Sequence, residues 1–150
     1  MNVPPELATL SGKAQLLAIF HDPDTPPAGL GRTLGFDGVE IGDGTVAFSA
    51  VPGPDVYNPI GTVHGGFAAS MLDSALGCAV HSRLKAGQGY TTLELKVAYH
   101  RPMTATTGRV RAEGTVIQLG RRAAFAEGKI TDARGRVYAT ATSTLLVFPL

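Results

Sequence analysis

From Gly65 to Val80 the chain is apolar or small at almost every position, and the only charge in that run is Asp73. The run follows a Pro/Gly turn at Asn58-Pro59-Ile60-Gly61 and has the length of about four helical turns. A helix that is apolar nearly all round has no face to give to water and must be buried. The rest of the chain therefore has to wrap it. A carboxylate inside such a helix is costly unless it is paired or used, so Asp73 is either a structural Asp bonded to a neighbouring loop or a functional group.

Helical geometry separates two kinds of chemistry along this run. At about 100° per residue, Asp73 shares a face with Ala69, Ser70, Leu76 and Gly77, mostly small residues that leave room for a ligand. Cys78 lies about 140° away and is not expected as its partner. At the other end Gly65 and Gly66 occupy the first turn, where N–H groups are unpaired and the macrodipole is positive. Without side chains they let a ligand oxygen reach the backbone, which makes an anion or oxyanion site. A rise of about 1.5 Å per residue puts Gly65 and Asp73 roughly 12 Å apart, too far for one reacting carbonyl to touch both. Joint action requires a second copy of the helix, antiparallel to the first, as a C2 dimer provides.

The wrapping elements follow from periodicity. Leu7, Leu10, Ala14 and Leu17, with Leu16 and Phe20, predict an amphipathic helix over residues 5–20 after Pro4-Pro5, packed over the sheet or a partner subunit. Residues 21–31 carry three prolines and read as a loop. From Thr33 the period changes. Leu34, Phe36, Val39 and Ile41 form a strand with a bulge at Gly38, Gly42-Asp43-Gly44 turns, and Thr45 to Val51 returns. Ala86-Gly87-Gln88-Gly89 ends the central helix. Leu93, Leu95, Val97 and Tyr99 then alternate with polar residues, and further strands span 107–119, 122–131 and 136–148, joined at Gly120 and at Asp132–Gly135. Short connections imply antiparallel neighbours. The expected class is α+β: one antiparallel sheet curled around one buried helix, with residues 1–31 as a helical arm and loop and 32–150 as the main domain.

The motif Asn58…Gly61-Thr62-Val63-His64-Gly65-Gly66…Asp73 resembles the hot-dog-fold acyl-CoA thioesterases of the phenylacetate-pathway type. The strand Thr91-Thr92-Leu93-Glu94-Leu95-Lys96-Val97-Ala98-Tyr99-His100-Arg101-Pro102 extends the resemblance, which covers roughly residues 30 to 148. It implies that Asp73 is the catalytic carboxylate, attacking the thioester carbonyl or activating water. It implies Gly65 as oxyanion donor, with Gly66 second, and Asn58 and His64 as site residues. Asn58 could equally stabilise its own turn, and His64 could fix the loop amides rather than act as a base. Thr92 matches the hydroxyl that orients water in relatives; Thr91, one residue away, faces oppositely on a strand. Arg101, Arg121 and Arg122 are candidates for coenzyme A phosphates, set against ordinary surface charge.

Composition bounds the rest. Of 150 residues, 17% are charged, below the roughly 25% of an ordinary domain, which suggests surface covered by other subunits. A net charge of +1 argues against a general nucleic-acid binder. One cysteine excludes an intrachain disulfide and makes a cytosolic setting the default. The first residues lack a signal peptide's pattern, and no segment reads as membrane-spanning. His64, His81 and His100 have no metal-ligand spacing, and His81 reads as a cation near the helix C-terminus. The expected protein is an acyl-CoA thioesterase without metal or redox cofactor. It acts on an aryl- or fatty-acyl-CoA in a site shared across a homodimer, with a dimer of dimers open. The alternatives are a hot-dog hydratase or dehydratase, and a non-catalytic acyl-CoA sensor.

Overall fold

The computed structural model describes residues 7–21 and 29–150. The central run forms helix α3, Gly65–His81, with Phe67, Ala68, Met71, Leu72, Ala75, Leu76, Ala79 and Val80 all buried. Six strands wrap it: β1 (Phe36–Ile41), β2 (Thr45–Ala50), β3 (Gln88–Tyr99), β4 (Val110–Leu119), β5 (Ala123–Asp132) and β6 (Val137–Pro149). They form one antiparallel sheet in the order β1-β2-β4-β5-β6-β3, which is the sheet-around-helix arrangement the sequence implies. Strand β3 follows α3 directly in the chain yet pairs with β6, so it forms one edge of the sheet and β1 the other.

The helix is seated on the sheet by a glycine. A Cβ at Gly114 of β4 would lie 2.5 Å from the carbonyl carbon and oxygen of Ala75, so strand and helix backbones touch there. The register shifts at four places in the ladder, near Gly38 in β1, Leu93 in β3, Ile117 in β4 and Tyr138 in β6. The first is the bulge the sequence predicts. Those in β3 and β4 break the alternation and leave Leu93 61% and Ile117 58% exposed. Leu93 therefore does not share a face with Leu95 and Val97, which pack against the core.

Several boundaries differ from the sequence reading. Residues 5 and 6 and most of the 21–31 loop lie outside the described residues. Helix α1 is Gly12–Phe20, opened by Ser11, whose hydroxyl accepts from the Ala14 amide. The N-capping Ser wins over the apolar spacing that begins at Leu7. Leu34 closes a single helical turn, α2 (Leu30–Thr33), and the strand starts at Phe36, because Gly35 at φ 73° turns the chain between them. Helix α3 ends at His81, before the predicted Ala86–Gly89 stop.

His81 is not a cationic helix terminator. Its ring is buried, and burial pulls its pKa below the usual value. Nε2 sits 2.8 Å from Gln15 Oε1 of α1. Gln15 spends its own amide hydrogens on the carbonyls of Leu7 and Leu10, so its oxygen faces His81 as an acceptor and His81 carries the proton on Nε2.

Candidate active site

Asp73 stands half-buried on α3, and Thr92 Oγ1 donates a hydrogen bond to its Oδ1 at 3.0 Å. The bulge at Leu93 makes this pairing possible. Strict alternation back from Tyr99, whose hydroxyl reaches α3 at the Gly65 carbonyl, would turn Thr91 toward the helix. One extra residue in the strand reverses that phase, so Thr92 faces α3 and Thr91 is exposed on the other side.

The pair borders a cavity of about 770 Å³. Asp73, Ser74, Cys78, Tyr90 and Thr92 form its polar end, and its apolar part includes Ile19, Phe20, Phe36, Val39 and Phe48. The open side of α3 therefore runs along Asp73, Ser74 and Cys78. It does not run toward Leu76 and Gly77, which are buried, Gly77 beneath the Tyr90 ring. Cys78 makes no hydrogen bond to Asp73, but it shares the cavity that the sequence did not assign to it. Burial pushes its thiol up to about 12, and the Asp73 carboxylate adds to that, so the thiol stays protonated at neutral pH. Burial, and then Cys78 and Asp73, raise the Tyr90 phenol as well.

The other end of α3 forms a separate cavity of about 300 Å³ lined by His64, Gly65, Tyr99, Arg101 and Met103, among others. His64 is the N-cap, and its Nδ1 accepts from the Gly66 N–H at 2.8 Å. That nitrogen carries no proton, so the ring presents Nε2–H outward. The Gly66 amide is thereby occupied, and among the described residues the Gly65 amide meets no acceptor. Tyr99 packs on Gly65, where a Cβ would lie 3.1 Å from its ring.

The remaining candidates lie apart. Asn58 is committed to its own turn: Oδ1 accepts from the Ile60 and Thr62 amides, and Nδ2 donates to Thr62 Oγ1 at 2.9 Å. One Nδ2 hydrogen is left over, and the residue lines neither cavity. Arg101 bonds through its amide to Tyr138 O, whereas the Arg122 carbonyl accepts from Val147. The nine-residue span of β6 between those contacts puts Arg101 roughly 30 Å from the Arg121-Arg122 hairpin. Within one protomer the structure thus brings together Asp73 and Thr92, and separately His64, Gly65, Gly66 and Arg101. The cavity residues that sequence reasoning missed, Ser74, Tyr90 and Phe20, carried no motif. Only the helix phase of Ser74 could have pointed to it.

Comparison with known proteins gives the family of the chain. The thioesterase superfamily model matches residues 60–139. The proofreading thioesterase EntH of Klebsiella pneumoniae is 31% identical over 80 residues, 53% of this chain and 57% of its own. A second curated relative, from Halobacterium salinarum, is matched over 44% of its length, so the chain spans about half of these relatives. Among solved structures, the Escherichia coli PaaI protein superposes with a TM-score of 0.76 at 20% identity, covering 93% of this chain and 96% of that one. A mutant of the phenylacetic acid degradation protein PaaI from Thermus thermophilus gives 0.69 at 29% identity, covering 77% and 96%. The family match contains both the helix that carries Asp73 and the strand that carries Thr92, and on that ground the chain belongs to the thioesterase superfamily, in its hot-dog fold.

Proposed function

We propose that this protein hydrolyses acyl-CoA thioesters at Asp73, in a site completed by a second copy of the chain. The observation that carries the proposal is the Thr92 hydrogen bond to Asp73 on an otherwise apolar helix, at the edge of a cavity with an apolar interior. Thr92 occupies Oδ1 and holds the carboxylate plane, and among the described residues Oδ2 has no hydrogen-bond donor, at a residue that lines the cavity. Oδ2 then takes a proton from water as it adds to the thioester carbon, or attacks that carbon itself. In the first route the C–S bond breaks and the proton held at Asp73 passes to the departing coenzyme A sulfur. In the second the thiolate leaves, and water cleaves the acyl–Asp73 anhydride, giving the free acid and the proton that the thiolate takes up.

The carbonyl oxygen needs a donor, and none of the described α3 amides near Asp73 is free. Gly65 of the partner subunit supports this role, because its N–H is unspent and lies at the positive end of a long helix. Antiparallel pairing of two α3 helices would set each Gly65 against the other chain's Asp73. The edge position of β3 and the small residues Ala69 and Ser70 on α3 support such pairing. It would also bring Arg101 and the Arg121-Arg122 hairpin to one coenzyme from opposite chains. His64 holds the Gly66 amide and shapes the helix start, and Asn58 shapes the turn before it.

The test is free-thiol release from a panel of aryl- and straight-chain acyl-CoAs by the native protein and by Asp73→Asn. The expected outcome is turnover by the native protein and a loss of about a hundredfold or more in the variant. No turnover on any thioester by a folded dimer refutes the hydrolase and favours a binding protein.

A further inference from the structure

The cavity beside Asp73 has a wall that the hydrolysis does not use. Helix α1 supplies it through Ile19 and Phe20 in its last turn. Phe20 stands edge-on to Phe48, ring centroids 5.4 Å apart, and Phe48 in turn meets Phe36 at 6.1 Å. These rings, Phe48 buried and Phe20 and Phe36 half-buried, line the same cavity as the Asp73–Thr92 pair.

Helix α1 is held against α3 by a docking point well away from that wall. The Gly12 N–H donates to the Leu84 carbonyl at 2.9 Å. A Cβ on Gly12 would fall 1.8 Å from the His81 oxygen, so only glycine permits this approach. Gln15, 1% exposed, then accepts from His81 across the two helices. The His81 ring is edge-on to Tyr90 at 5.6 Å, and Tyr90 lines the cavity from the β3 side. One buried hydrogen bond therefore registers two walls of the cavity at once.

From this arrangement we infer that Phe20 sets the acyl length the site accepts, and that the Gln15–His81 pair positions it. The inference rests on the thioesterase reading for the identity of the ligand, and on this chain's own packing for the rest. Asp73 and Thr92 sit on the core helix and the sheet edge. Phe20 sits at the end of a short peripheral helix whose displacement would leave the α3–sheet core in place. A size change at Phe20 alters depth at the acyl end without touching the carboxylate.

The experiment measures binding of non-hydrolysable S-hexyl-, S-decyl- and S-tetradecyl-CoA thioethers by calorimetry, to the full chain and to Phe20→Ala, Phe20→Trp, Gln15→Leu and Leu17→Ala. Circular dichroism and a thermal melt confirm folding for each. For Phe20→Ala, affinity for the tetradecyl ligand relative to hexyl should rise about tenfold or more, the scale on which apolar pockets discriminate single methylenes. Phe20→Trp should move the ratio the other way. Gln15→Leu, which removes the acceptor for His81, should shift it in the same direction as Phe20→Ala. Leu17→Ala, on the exposed face of α1, should keep the native ratio.

A ratio that ignores both Phe20 substitutions in folded protein overturns the inference, and one that ignores Gln15→Leu alone overturns its positioning half. Turnover of the matching thioesters by the native chain is scored separately. Hydrolysis with an unmoved ratio sinks this inference and leaves the thioesterase standing. A moved ratio without hydrolysis does the reverse.

Discussion

Replacing Thr92 with Val isolates the hydrogen bond that organises the proposed reaction. Val keeps the β-branch and the volume and removes only the hydroxyl that donates to Asp73 Oδ1 at 3.0 Å. A hydrogen bond to a charged acceptor is worth about 1.5–3 kcal/mol. If the bond acts by holding the carboxylate in its reactive orientation, its loss appears in the barrier. At about 1.4 kcal/mol per tenfold, kcat/KM should fall roughly 10- to 150-fold. Thr92→Ser restores the donor and should recover most of that loss. The assay is steady-state thiol release under conditions where each variant shows the native melting profile. Thr91→Val provides the contrast, because the bulge at Leu93 leaves Thr91 exposed on the far face. If Thr91→Val were the damaging change and Thr92→Val were silent, the strand phase derived from the bulge would be wrong.

Three further outcomes follow from the packing and the charges. Gly114→Ala places a methyl 2.5 Å from the Ala75 carbonyl and should destabilise the fold by about 1–3 kcal/mol or more, read from urea midpoints. Asp132 is buried, which pushes its pKa up. The Arg136 and Arg134 amides, the Arg136 guanidinium and the Tyr138 hydroxyl outweigh this and hold it at about 2 against a usual 3.8. Its stabilisation is therefore complete above pH 3.8 and is lost as pH falls toward about 2, and Asp132→Asn should flatten that limb of an acid-denaturation curve. His81 is shifted the other way for a base: burial lowers it from 6.5, so the unfolded chain binds the proton first. Stability should fall as pH drops below 6.5, and His81→Gln should remove that part of the dependence, followed by denaturant midpoints across the range.

What the sequence made legible was what periodicity and residue chemistry encode locally. The apolar run around Asp73 announced a buried helix, and it is α3. The turns at Gly42–Gly44, Gly120 and Asp132–Gly135 announced hairpins, and β1–β2, β4–β5 and β5–β6 are antiparallel neighbours. The pairing of β3 with β6 was not legible, because it depends on contacts between distant parts of the chain. The bulge at Leu93 was hidden for a related reason: Leu93 looks like any inward apolar residue until Thr92 and Glu94 are seen to pair with the consecutive residues Leu145 and Thr144, which leaves Leu93 without a partner. His81 misled because proximity to a helix terminus suggests a charge, whereas its environment is set by Gln15, 66 residues away. The family resemblance ranked Gly65 ahead of Gly66, but the physical difference between their amides, that the His64 cap occupies the one on Gly66, was not legible in the sequence.

The contact at Gly114 gives the molecule a hard side and a soft side. Where a strand and a helix meet backbone to backbone, no side chain remains to be resized, so the height of α3 above the sheet cannot drift by single substitutions. Asp73 lies within a turn of that contact and inherits its fixity. On the opposite flank α1 is anchored at Gly12 and through the Gln15–His81 bond, but its last turn meets the cavity through Ile19 and Phe20, side chains that can be resized without disturbing those anchors. A chain built this way can change its ligand by editing the soft flank while Asp73 stays in register. Random mutagenesis selected for altered ligand preference should therefore accumulate changes in residues 19–21 and 36–39, and almost none at Gly12 or at the β4–α3 seam.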